Sequence, residues 1–285
     1  MQVKKIKTRI RRDWLDVIRT AIWYAYIEAK FLNSTNYEIA KFIEPEVFGK
    51  DEEKDINNHI RWAKYRRGKH TPGKELISKA DQHVKGAARI INHVLWEVIR
   101  GRKPLKWFME DGVNQLSWDV RRIIFKSAND KNELIPVLHI TKNLRRIERL
   151  ENLDALAALI IFLRIAVDQN QKEIALRIGR SIYRILLVMC VFLPLVHFKY
   201  GLAFLIYLYV FSILPRKTKN FDSNDVEEFC DKSSKLNYIL LAAEDENIID
   251  LKGKGISKKM YTNFLFDILD GKRGLKLIKE FSPSF

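Results

Sequence analysis

The chain has 285 residues and carries 51 Lys+Arg against 35 Asp+Glu, a formal net charge of +16. With 47% hydrophobic residues and only 12 Gly and 7 Pro, it falls outside the disordered and collagen-like classes. Two cysteines, Cys190 and Cys230, are too few for a disulfide framework or a cysteine-built zinc site.

The opening MQVKKIKTRIRRDW is basic but reaches no apolar run, so no cleaved secretory signal is expected. Helical spacing then dominates. Trp14, Val17, Ile18, Ala21 and Ile22 recur at three- and four-residue intervals and predict a helix from about Arg11 to Phe31. Asn36 is a candidate N-cap for Tyr37–Ile43, and Pro45 and Gly49 interrupt. A helix over Ile56–Tyr65 closes at Arg66-Arg67-Gly68. Thr71 and Pro72 open the next, Glu75–His83, and after Gly86 a helix over Ala87–Arg100 stops at Gly101. Leu134–Ile140 is the best strand candidate in a chain that reads as mainly α.

The most specific local pattern lies between Arg61 and Lys74. Arg61, Lys64, Arg66, Arg67, Lys69 and Lys74 are interleaved with Trp62 and Tyr65, which suits phosphate contact with bases stacked on the rings. The turn Arg67–Pro72, followed by a new helix, resembles the end of the recognition helix in phage-repressor-type helix-turn-helix domains. There a W-x-x-G-x-x-x-P pattern closes the motif; here Tyr65-Arg66-Arg67 stands between Trp62 and Gly68. A lipid- or protein-facing basic surface and an ordinary solvated turn are the competing readings.

Leu153–Val167, short for a membrane span, reads as a core helix, with an interfacial or third membrane segment as the alternative. Ile185–Leu214 is different: thirty residues with a single charge, Lys199. Two 19-residue windows within it, Ile185–Ala203 and Val196–Leu214, each hold eleven Leu, Ile, Val or Phe. At roughly −0.3 to −0.6 kcal/mol per residue that favours insertion by about 3–7 kcal/mol. Pro194, His197, Lys199 and Gly201 cluster in the middle as a turn would, and Arg184 and Arg216-Lys217 flank the block. The block can be one long span or two short ones; basic flanks on both sides favour two, a transmembrane helical hairpin with both termini cytoplasmic. A hairpin buried in the core of a soluble α protein is the alternative.

Four segments follow: a basic helical region 1–104 with net +10, a helical connection 105–180, the hairpin 181–217, and a C-terminal cytoplasmic region 218–285. Catalysis finds no support. The six histidines, His59, His70, His83, His93, His139 and His197, have no metal-ligand spacing, and neither a phosphate-binding loop nor a nucleophile elbow occurs. No enzyme, cofactor or metal is expected. Asp222–Asp225 reads as a helix N-terminus.

The hairpin Ile185–Leu214 with its basic ends, joined to the basic stretch Arg61–Lys74, resembles the two-span membrane effectors of bacterial anti-phage retron systems. That resemblance implies a toxin-like protein of the inner membrane. A nucleoprotein partner, a reverse transcriptase with its RNA–DNA hybrid, would hold it silent until infection. Membrane lipids, and other copies of the chain within the bilayer, would be its further partners. The other reading is a DNA-binding regulator using Trp62–Lys74, soluble or membrane-tethered.

Overall fold

The computed structural model describes residues 12–31, 34–48, 52–126, 133–215, 223–246, 248–249, 258–272, 281 and 283. It is mainly helical. Among the described residues there is no strand, only an isolated antiparallel bridge between Phe125 and Leu134. The strand expected at Leu134–Ile140 is therefore that bridge followed by a short helix, because Pro136 removes a ladder donor and opens a helical turn instead. The chain divides into two compact units, Met1–Ile91 and Asn92–Phe285.

The first unit holds α1 (Trp14–Glu28), α2 (Asn36–Ile43), α3 (Glu52–Arg66), α4 (Lys74–His83) and α5 (Ala87–Ile91). Asp13 caps α1 through the Leu15 amide. Thr35, one residue before the expected Asn36, caps α2 in a capping box with Glu38, which satisfies two otherwise orphaned amides. The acidic stretch before Ile56 does not interrupt α3, which already starts at Glu52. Trp23, Tyr24, Ile27, Ile39, Ile43, Trp62, Leu76 and Ile91 meet in one core.

The second unit is built around a helix that is apolar on all sides. Helices α6 (Val94–Arg100), α7 (Leu105–Trp107, running into a π-helical turn at Phe108–Gly112), α8 (Trp118–Ile124), α9 (Val137–Ile140) and α10 (Leu144–Glu148) precede it. Then α11 (Leu153–Asp168) passes through the middle with nearly every residue buried, as a helix without a polar stripe must. The expected single helix Ala87–Arg100 is broken in two, because the His93 side chain accepts the Leu95 amide and starts α6 afresh. Gly101 then closes α6 in the left-handed conformation. Beyond α11 come α12 (Lys172–Met189), α13 (Lys199–Tyr209), α14 (Ser223–Asp245) and α15 (Lys258–Leu269). The thirty apolar residues thus comprise the end of α12, a turn at Cys190–Pro194, and α13 with 3-10 turns at both ends.

The transmembrane hairpin is corrected here. Ile185 and its neighbours through Cys190 are fully or almost fully buried, and α12 packs on α11, α10, α14 and α15. Lys172, Glu173, Arg177, Arg180 and Arg184 precede the expected arm on the same helix, and the apolar end that follows them is spent inside the unit. Among the described residues one stretch, Leu195–Ile213, is long and apolar enough to cross a membrane, with 39% of it buried inside the unit. His197 belongs to the 3-10 turn before α13, Lys199 begins α13, Gly201 lies within it, and Leu214 closes the stretch after the second 3-10 turn. Pro194 sits in the preceding turn. The basic flank Arg216-Lys217 lies outside the described residues.

Ions hold this unit's last helix in place. Arg184 of α12 reaches Glu148 at 3.0 Å and Asp270 at 2.7 Å, and donates to the Leu269 carbonyl at 3.0 Å. Arg149 binds Asp267 at 2.8 Å and Asp270 at 3.3 Å, and Arg145 also pairs with Asp270. Arg164 of α11 has another task. It donates to the carbonyls of Val98 and Ile99 near the end of α6 and of Tyr209 at the end of α13. Burial alone brings its guanidinium down to about 10.

Candidate nucleic-acid interface

Helix α3 packs against α1 and α2, and its two faces differ completely. Trp62 is 0% and Tyr65 5% exposed. The Trp62 ring stacks on Trp23 with centroids 6.1 Å apart and meets Tyr24 and Tyr65 edge-on. Its indole N–H donates to Glu44 Oε2 at 3.0 Å, and the same oxygen receives the Arg61 guanidinium at 2.6 Å. The expectation that Trp62 and Tyr65 stack on bases is therefore overturned: core burial competes for large rings, and both are spent anchoring α3. Arg61 is tied to Glu44, and Arg66 lies 3.6 Å from Glu28.

What remains exposed forms a stripe. Ile56, Asn57, Ile60, Lys64 and Arg67 all face solvent. At 3.6 residues per turn they fall within an arc of about 100°, opposite Trp62 and Tyr65. Lys69, His70 and Lys74 continue the exposed surface through the turn into α4. Among the described residues no carboxylate pairs with Lys64, Arg67, Lys69 or Lys74.

The turn carrying these cations is fixed. Gly68 has φ +63, and a Cβ there would lie 2.2 Å from the Val17 carbonyl oxygen, so only glycine lets the turn lie flat on α1. Arg12 donates to the Gly68 carbonyl, to Thr71 Oγ1 at 2.6 Å and to Thr20 Oγ1 at 2.9 Å. Thr71 thus meets Arg12 instead of capping α4, whose N-cap is Gly73. Pro72 is buried. These positions account for the pattern in the sequence, with the register moved by one helical turn. Tyr65-x-x-Gly68-x-x-x-Pro72 has the spacing of W-x-x-G-x-x-x-P, with Tyr65 as the anchoring aromatic in place of Trp62. One departure stands. The connection between α2 and α3 spans eight residues, with a 3-10 turn at Pro45–Val47 and the Asn58 amide donating to the Val47 carbonyl, against three or four in the helix-turn-helix.

Two contributors have no signal in the sequence. Arg12 and Glu44 each satisfy groups 17 or more residues away, and no local spacing announces such a partner. The exposed Ile60 was legible, since it lies nearly opposite Trp62 on any helix drawn through 52–66, and Ile56 falls about 40° from it on the same face.

No second site competes. Among the described residues no group of three or more His, Cys, Asp or Glu is placed to hold a metal. His93 and Asp154 do meet, with Nε2 3.3 Å from Oδ1, and Ser117 lends its amide to the same oxygen at 3.1 Å. His93 Nδ1 is occupied by the Leu95 amide at 3.0 Å, so this ring has no nitrogen left to activate a nucleophile. Comparison of the chain with protein-family models, with curated proteins and with solved structures finds no match.

Proposed function

We propose that the first unit binds nucleic acid through α3 and the turn that follows it, and that the chain is a DNA-binding regulator. One observation carries this reading: exposed Lys64, Arg67, Lys69 and Lys74, without a carboxylate partner among the described residues, ride on a helix and turn locked from behind by Trp62, Tyr65, Gly68 and Arg12. With the backbone beneath them fixed, the cations have only side-chain rotamer entropy to lose on meeting phosphates. Residues 1–91 contain 20 Lys+Arg and 12 Asp+Glu, so the unit's field attracts polyanions at a distance. In the sequence four acids, Asp51, Glu52, Glu53 and Asp55, precede Ile56, and Lys64, Arg67, Lys69 and Lys74 all lie after it, which leaves the gripping role to the C-terminal half of α3.

The test is binding of the full chain to a labelled 30-base-pair duplex over a range of salt. Affinity should fall linearly with log salt. The triple change Lys64→Glu, Arg67→Glu, Lys69→Glu should flatten the slope by close to 0.9 for each phosphate that the variant no longer neutralises. Arg61→Ala, which breaks an internal pair, should leave the slope alone. An unchanged slope in the triple variant overturns the proposal.

A second reading keeps the membrane, on the strength of Leu195–Ile213, the exposed Tyr200 and Leu208 along it, and the exposed Leu193 just before it. In it the chain is a retron-type effector of the inner membrane. Its basic unit is held by a nucleoprotein containing reverse transcriptase and RNA–DNA hybrid, and copies of the chain associate in the bilayer. Alkaline carbonate extraction of producing cells separates the two readings: a resistant pellet with depolarised cells favours the effector, an extractable protein the regulator.

A further inference from the structure

Phosphate binding explains the cations on α3 but not the apolar residues beside them. Ile56 is 60% and Ile60 42% exposed. With Asn57 they fill the uncharged half of the same stripe, one to two turns before Lys64. A surface that only grips a backbone has no use for two exposed isoleucines, and water disfavours them. The edges of A·T pairs in the major groove do have a use for them. Thymine offers a methyl group for apolar contact, and adenine offers N6 and N7 to a carboxamide. The dimensions agree: an α-helix with its side chains is about 10–12 Å across, close to the width of the B-form major groove. A-form duplexes hide that groove, and uracil lacks the methyl, so the same residues disfavour RNA.

Resting on the reading of α3 as a nucleic-acid interface, we infer that Asn57 and Ile60, with Ile56 beside them, read A·T pairs in the major groove of duplex DNA while Lys64, Arg67, Lys69 and Lys74 hold the flanking phosphates. The ligand is then a particular DNA sequence rather than any polyanion.

The experiment selects duplexes with the full chain from a pool carrying a randomised 20-base-pair core. The chosen site is then remade with uracil replacing one thymine at a time. Selection should enrich fixed A·T positions. Removing the methyl that Ile60 touches should weaken wild-type binding about fourfold, the worth of one buried methyl group, and should not weaken Ile60→Ala further. Asn57→Ala should lose about 5- to 150-fold on the selected site and far less on an unselected duplex. Both side chains are exposed, and matching melting curves will show that the variants fold. Two results overturn the inference while leaving phosphate binding intact: no enriched sequence, or a uracil penalty that persists in Ile60→Ala. A wild-type chain that binds no duplex at low salt removes the underlying reading as well.

Discussion

Replacing Gly68 by alanine tests whether the basic turn is seated on α1 as described. Two costs add. A non-glycine residue at φ +63 loses about 1–2 kcal/mol to its own carbonyl. The new Cβ also falls 2.2 Å from the Val17 carbonyl oxygen and 2.7 Å from its Cγ1. Backbone oxygen cannot rotate aside, so the turn must lift from α1, an overpacking cost of about 1–3 kcal/mol. The sum, about 2–5 kcal/mol, is a large part of the 5–15 kcal/mol that holds a small unit together. At about 4–8 °C per kcal/mol the melting transition of this unit should drop by at least about 8 °C. Hydrogen exchange in peptides covering 62–77 should quicken with it. Gly73→Ala is the control: φ there is −71 and nothing lies within 4 Å, so only a modest N-cap loss of up to about 1 kcal/mol is expected. Equal melting shifts for the two variants, or a Gly68→Ala shift under about 3 °C, would refute the close approach of the turn to α1.

In the second unit, Asp270→Ala should cost about 3–5 kcal/mol in a denaturant titration, since it strips Arg145, Arg149 and Arg184 of a shared carboxylate whose side chain is 3% exposed. Glu151 gives a pH signature. Burial raises its carboxyl above the usual 4.5, outweighing Lys258 at 2.8 Å. The native state therefore keeps a proton that the unfolded chain releases, and the contribution of Glu151 is fully present below pH 4.5 and lost as pH rises through the raised value. Subtracting the pH–stability curve of Glu151→Gln from that of wild type should leave a difference that falls with pH from about 4.5; a flat or rising difference contradicts the assignment.

Helix positions were largely legible in the sequence because capping and glycine chemistry are local: Gly101 and the run through Leu153–Val167 stand where the periodicity predicts. Single-residue errors at Asn36 and Thr71 arose where a neighbouring side chain made the better bond, Thr35 in one case and Arg12 in the other. The hairpin misled for a deeper reason. Hydropathy counts residues without regard to what surrounds them, and a helix buried on α11 is as apolar at its end as one in lipid. The available sign was that the first arm continues, without a turn, the amphipathic helix carrying the charges Lys172–Arg184, which already has one face committed to packing. At the candidate interface, composition picked out the basic stretch but could not separate the rings that support α3 from the cations that face outward; that division depends on partners from α1 and α2.

The Arg164 guanidinium makes Leu195–Ile213 something other than a detachable tether. It neutralises the carbonyl ends of α6 and α13 at once, and Lys199 at the other end of α13 donates to Ser234 and to the Cys230 carbonyl. Pulling α13 from its seat would therefore uncover a lysine and an arginine together with the carbonyls they satisfy. Departure of this helix would be a partial melting of the unit, with α6, α11 and α14 registering it simultaneously, so a trigger acting on any one of the four would be felt by the other three.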